Sequence, residues 1–233
     1  MQEIDNKQFN SNLVERCDRV AMAAGLLGFV LSAGDFTRFI STGAFLFLLG
    51  ILYAVTCSFF VLGGYALGHR IIGVPWAELI PLTHCGLWKR LLTIVIAAGL
   101  LAVLVTMVNF GMAHGNPDVD SSFPLHYIKE ADWLRRLRIL VQVVVCAPIS
   151  EEFFFRLALP RWLKNRVGSE FHADLIASLA FSLIHLIWWG IPGLFLFGIV
   201  LCFLRRKQDI FTCLGVHALY NLLVAIAAIF LAS

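Results

Sequence analysis

Charge is scarce in this chain. Lys, Arg, Asp and Glu make up 14% of 233 residues and hydrophobic residues 60%, a balance that excludes an ordinary soluble globular domain. No CxxC pair occurs among the six cysteines Cys17, Cys57, Cys85, Cys146, Cys202 and Cys213. They read as small buried hydrophobes, neither a zinc cluster nor a disulfide framework. No HExxH is present, so no single helical turn offers two histidines to a metal. The opening residues MQEIDNKQFNSNLVERCDR hold no hydrophobic run, which argues against a cleaved signal peptide. There is no internal repeat and no low-complexity segment. The net charge of +3 says little about partners, and no nucleic-acid partner is expected.

What the chain does have is long apolar runs, several near the roughly 20 residues that cross a bilayer as helix. The expected class is all-α, a polytopic transmembrane helical bundle with about seven to eight spans. The runs are Val20–Ala33, Gly43–Gly68, Leu91–Ala113, Leu137–Leu159, Ala173–Trp189, Ile191–Leu204 and Ile210–Ala232. The first extends to Ile40 if it passes Asp35 and Arg38, three residues apart on one helix face. The segment from His69 to Arg90 holds Pro75, Pro81 and two tryptophans, which suits a loop with a short interfacial helix. His114 to Arg136 is the longest polar connection. The organisation reads as a polar segment 1–19, helices and loops over 20–136, and a polar-bearing core over 137–233, all in one membrane domain.

Lys and Arg set the orientation. With the N-terminus cytoplasmic, twelve fall inside and four (Arg38, Lys129, Arg135, Arg136) outside, which favours that topology.

Within the fourth run, APISEEFFFRLALP places Glu151, Glu152 and Arg156 inside six residues. A charge at membrane depth costs about 2.5–3.5 kcal/mol on insertion scales, so such residues are rare and functional by default. Glu152 and Arg156 are spaced i, i+4 with the acid first, the better order for a helix pair. Glu151 points about 100° away around the helix and is left free for chemistry; the reverse assignment of the two glutamates is the alternative. Of the seven histidines, five (His69, His84, His114, His126, His172) lie in loops or at span edges, while His185 and His217 lie well inside runs. Counted from the cytoplasmic end at ~1.5 Å per residue, Glu151 lies ~15 Å deep, His185 ~18 Å and His217 ~12 Å. Asn221 follows His217 by one turn on the same face, at ~18 Å. Gln142 and Asn109 read as interhelical hydrogen-bonding residues, and Phe153, Phe154 and Phe155 as packing or lipid contact.

Glu151-Glu152-x-x-x-Arg156, then Phe181-x-x-x-His185, then His217-x-x-x-Asn221 resembles the three-motif signature of the CPBP family. These are the CAAX prenyl endopeptidases and bacteriocin-processing membrane proteases, also called the ABI family. His185 follows Glu151 by 34 residues and His217 follows His185 by 32; the likeness covers roughly residues 140–230. Leu157 stands where members often carry glycine, and described members have eight transmembrane helices.

The resemblance implies an intramembrane endopeptidase that cleaves a membrane-anchored substrate, a prenylated CAAX-type tail or a leader-bearing, bacteriocin-like peptide. In that reading Glu151 and His185 hold and activate a water, and His217 and Asn221 stabilise the oxyanion. Glu152, Arg156 and Phe181 support them. No cofactor is expected; the alternative is Zn²⁺ held by Glu151, His185 and His217 with an open water position. The lipid bilayer is the surrounding partner, and a multi-pass protein of a bacterial inner membrane is the expected setting. Two competing classes remain. One is a non-proteolytic scaffold or bacteriocin-immunity protein of the same fold. The other is a proton-coupled transporter, against which the sequence offers no paired broken spans in two halves.

Overall fold

The computed structural model describes residues 2–33, 44–83, 85–114, 133–185 and 187–231. All its regular elements are helical, with no strand among the described residues. In lipid, helices alone let an open chain pair every backbone N–H and C=O within one segment. Helix α1 spans Gln2–Ala33, α2 Ala44–Ile72, α3 Trp76–Leu79 and α4 Leu87–His114. A broken helix follows: α5 Trp133–Val141, a π segment Gln142–Cys146, α6 Ala147–Glu152, a second π segment Phe153–Ala158, and α7 Leu159–Val167. Then come α8 Glu170–Ile184, a 3₁₀ turn Trp188–Gly190, α9 Ile191–Lys207 and α10 Ile210–Leu231. Among the described residues, three stretches are long and apolar enough to cross a membrane: Leu87–Met112, Trp188–Lys207 and Ile210–Ala227. This is a helical membrane bundle.

The expected runs correspond to these helices, with changes at their ends. The polar opening residues are helical from Gln2 onward. The short helix expected between Pro75 and Pro81 is α3. The fifth run does not continue to Trp189: α8 stops at Ile184 after 15 residues, and His185 caps it. The following stretch therefore starts at Trp188 and is 20 residues long, not the short Ile191–Leu204. Asp35, Arg38, His84, His126 and most of the polar connection after His114 lie outside the described residues.

Two prolines account for the π segments. A proline ring collides with the carbonyl four residues back and cannot donate to it. Ahead of Pro148 the helix widens, and the Ala147 N–H donates five residues back to the Gln142 carbonyl. Ahead of Pro160 the Leu159 N–H donates to the Phe154 carbonyl in the same way. Glu151 and Glu152 lie between these two widened turns. Such segments occur mostly at functional sites.

Small residues bring the helices close. On α2, Gly64 and Gly68 face Ala21 and Cys17 of α1; a Cβ at Gly64 would sit 2.6 Å from the Ala21 Cα. Without a hydrophobic drive between helices in lipid, such close backbone approach is a main source of packing. On α9, Gly198 does the same against Ser178 of α8. Cys17 is a buried thiol in the first of these contacts, Cys202 lies 3.6 Å from Ser178 beside the second, and Cys213 is buried on α10 against the Leu201 carbonyl.

Ion clusters tie the helix ends together. Asp18 of α1 pairs with Arg161 of α7 and accepts a 2.7 Å hydrogen bond from the Tyr65 hydroxyl of α2. Arg161 also donates to the Leu79 carbonyl at 2.8 Å, so one side chain joins α1, α2, α3 and α7. Burial pushes the Asp18 carboxyl up to about 6, against the opposing pull of Arg161 and Tyr65. Asp209, between α9 and α10, pairs with Arg90 of α4. Asp174 at the start of α8 pairs with Arg205 and Arg206 at the end of α9. Together these clusters fix the frame around the three helices that carry the polar motifs, the broken helix, α8 and α10.

Candidate active site

The two glutamates leave α6 in different directions. Glu152 is fully buried, while the Glu151 side chain keeps 13% of its surface exposed. His217 of α10 lies between them. Its Nδ1 is 2.7 Å from Glu152 Oε1, and its Nε2 is 3.8 Å from Glu151 Oε2. A carboxylate can only accept, so Nδ1 carries the proton in the shorter contact. That places one ring proton on Nδ1 and turns Nε2 toward Glu151.

Arg156 lies on the far side of Glu152, with Nε 3.5 Å from Oε2 and no exposure on either side chain. Its guanidinium carbon also stands 4.4 Å above the centre of the Phe181 ring. A buried cation needs compensation, and here a carboxylate and a ring face supply it. Glu152 thus serves two partners at once, one per oxygen.

Phe181 connects the rest. Its ring centre is 4.8 Å from that of His185, 6.1 Å from that of His217 and 6.0 Å from that of Phe197. His185 stands where α8 ends, and its Nδ1 is 2.8 Å from the Phe181 carbonyl one turn earlier. A carbonyl only accepts, so His185 also carries its proton on Nδ1. The bond satisfies one of the orphan carbonyls of a helix that stops within an apolar run. With Nδ1 so engaged, Nε2 is the nitrogen that carries the lone pair whenever the ring is neutral. That is the form able to take a hydrogen bond from water.

Asn221, one turn beyond His217, donates through Nδ2 to the Val143 carbonyl at 2.6 Å. Val143 belongs to the first π segment, so α10 is fastened to the widened turn just ahead of the glutamates. The structure therefore gathers Glu151, Glu152, Arg156, Phe181, His185 and His217 into one cluster, with Asn221 at its border. Glu151, His185 and Asn221 are partly exposed, whereas Glu152, Arg156, Phe181 and His217 are buried. The open three can meet a substrate, Glu152, Arg156 and Phe181 hold them from behind, and His217 stands between the two sets with Nε2 turned toward Glu151. Sequence reasoning did not find Phe197, whose ring centre lies 4.9 Å from that of His217, or Val143. The phenylalanine is one of twenty, and a backbone carbonyl leaves no mark in a sequence except through Pro148.

Residues 132–223 match the family model described as type II CAAX prenyl endopeptidase Rce1-like. This segment is an Rce1-like domain. It holds every residue of the cluster, and at the family level it is a CAAX-type membrane endopeptidase domain. No curated protein and no solved structure matches the chain. Among the described residues, no group of three or more His, Cys, Asp or Glu side chains of the Rce1-like domain is arranged to hold a metal ion. His217 Nδ1 and His185 Nδ1 are both engaged with protein oxygens, which fixes the orientation of each ring and leaves the chemistry of the site to the two Nε2 atoms and Glu151.

Proposed function

We propose that the chain is an intramembrane endopeptidase that hydrolyses a peptide bond in a membrane-anchored substrate by a glutamate-activated water. The observation that carries the reading is His217 held between two carboxylates, one buried and one open. Glu152 fixes the Nδ1 proton of His217, and the open Glu151 remains as the base. Glu151 and the Nε2 of His185 hold one water between them. As the water oxygen attacks the scissile carbonyl, its proton passes to Glu151 and then to the departing amine. His217 enters the step with both ring nitrogens protonated, one facing each carboxylate, and the new oxyanion takes hydrogen bonds from its Nε2–H and from Asn221.

The substrate class is a prenylated CAAX-type tail or a leader-bearing, bacteriocin-like peptide. The setting is a bacterial inner membrane with the N-terminus in the cytoplasm. The twelve-to-four Lys and Arg balance supports that orientation.

The test is cleavage of a panel of fluorogenic membrane-anchored peptides, farnesylated and unmodified, by purified protein in liposomes. Wild type and Glu151→Ala are compared with and without a chelator. Cleavage lost in Glu151→Ala and kept in chelator is the expected result. Loss in chelator moves the mechanism to zinc. A well-folded wild type that cleaves nothing across the panel favours the scaffold or immunity role.

A further inference from the structure

Asn221 is held by a carbonyl that a regular helix would not leave available. In an α-helix the Val143 carbonyl accepts from residue 147, and in a π turn from residue 148. The Ala147 N–H is already given to the Gln142 carbonyl. The next donor in line is Pro148, which has no N–H. Val143 is thereby stripped of its ladder partner, and Asn221 Nδ2 fills the place at 2.6 Å.

We propose that Pro148 is a positioning residue for Asn221: by withholding a backbone donor it keeps the Val143 carbonyl free to fix the Asn221 carboxamide at the reaction centre. A carboxamide nitrogen carries two protons. Val143 takes one, which sets the plane of the group and aims the second along a fixed direction. An oxyanion donor is effective when its direction is set before the charge develops. A carboxamide free to turn about its own axis presents its oxygen to the oxyanion as readily as its nitrogen. The proline thus acts through what it lacks, with the Ala147 N–H already committed to Gln142. This inference rests on the reading of Asn221 as an oxyanion donor.

The experiment compares residue 148 as Pro, as Ala, and as the α-hydroxy acid counterpart of Ala (lactic acid, introduced by nonsense suppression). Each is combined with Asn or Ala at 221 and assayed on the farnesylated fluorogenic peptide. Asn221→Ala lowers kcat by about 10²–10³-fold. Pro148→Ala restores a backbone donor that competes for Val143, and it lowers kcat by about 10²-fold with KM little changed. The hydroxy acid has no N–H and keeps activity near the wild-type level, and Pro148→Ala costs nothing further in the Asn221→Ala background. Equal losses from Pro148→Ala in both backgrounds, or a hydroxy-acid enzyme as poor as the alanine one, overturn the proposal and leave the proline a helix-shaping residue only.

A second measurement is independent of turnover. Solid-state NMR on protein labelled at Val carbonyl carbon and Asn side-chain nitrogen reads the Val143–Asn221 proximity, assigned by its loss in Asn221→Ala. The coupling is expected in wild type and absent in Pro148→Ala; its persistence in Pro148→Ala overturns the proposal. Asn221→Ala with full activity and the coupling lost on Pro148→Ala would sink the oxyanion reading while keeping the latch.

Discussion

The Nδ1 of His217 sits 2.7 Å from Oε1 of Glu152 across 65 residues of sequence, and neither side chain is open to solvent. The other Glu152 oxygen faces Arg156. Removing the Glu152 charge therefore leaves a buried guanidinium with only a ring face for company. Glu152→Gln is expected to cost about 3–5 kcal/mol of stability, the usual penalty for orphaning one member of a buried pair. Arg156→Met in the same chain should recover much of it. Thermal unfolding of the four proteins in one detergent measures this, and strictly additive costs would show that the two groups are not coupled.

Glu151 is the partly open carboxylate, so its loss should separate chemistry from folding. Glu151→Gln is expected to lower turnover by about 10²–10⁴-fold, the usual worth of a general base, while the melting temperature stays within a few degrees of wild type. A variant that cleaves at a quarter of the wild-type rate assigns the base to another group.

Asp18 supplies a pH dependence away from the site. Its carboxyl titrates near 6 in the fold against an ordinary 3.8, chiefly through burial. Between these values the folded chain holds more protons than the unfolded one, so stability falls as pH rises from about 4 to about 6 and is level above that. The full span is at most about 3 kcal/mol. Asp18→Asn removes the slope. Unfolding free energies of both proteins across pH 4 to 7 test it, and a difference that does not change with pH excludes Asp18 as the source.

Neighbouring glycines on α2 should respond in opposite ways. A Cβ at Gly64 would press on the Ala21 backbone at 2.6 Å, while one at Gly63 meets nothing within 4 Å. Gly64→Ala is expected to destabilise by about 1–3 kcal/mol through overpacking of α1 on α2. Gly63→Ala should be neutral or mildly stabilising, since alanine favours the helix by about 1 kcal/mol. Equal effects at both positions would mean that α1 and α2 do not pack this closely.

Much of this arrangement was legible because charge in an apolar run is conspicuous. The spacing of Glu152 and Arg156 announces a pair on one helix face, and each later motif sets an imidazole well inside an apolar run. Hydropathy does not report where a helix stops inside a continuous apolar run. The end of α8 at Ile184 was missed because the apolar run continues to Trp189. The π segments were missed because the sequence marks them only by Pro148 and Pro160, which read equally well as kinks. Most hidden was the double use of Glu152, since its contact with His217 joins helices far apart in the chain.

His185 has two duties in one ring, and they can be pulled apart. Its Nδ1 caps the end of α8 through the Phe181 carbonyl, and its Nε2 is the nitrogen offered to water. An asparagine carries its amide nitrogen near the place of Nδ1 and has nothing at Nε2. His185→Asn should therefore keep the cap, with stability within about 1 kcal/mol of wild type. It should lose turnover by about 10²–10⁴-fold, because the water has lost one of its two holders. His185→Ala loses cap and water together and should fall in both measurements. If His185→Asn retains near wild-type cleavage, the ring serves as a helix cap alone and the water must be held by Glu151 with some other group. The measurements are thermal unfolding and initial rates on the same peptide, taken on one preparation so that a fold defect cannot pass for a chemical one.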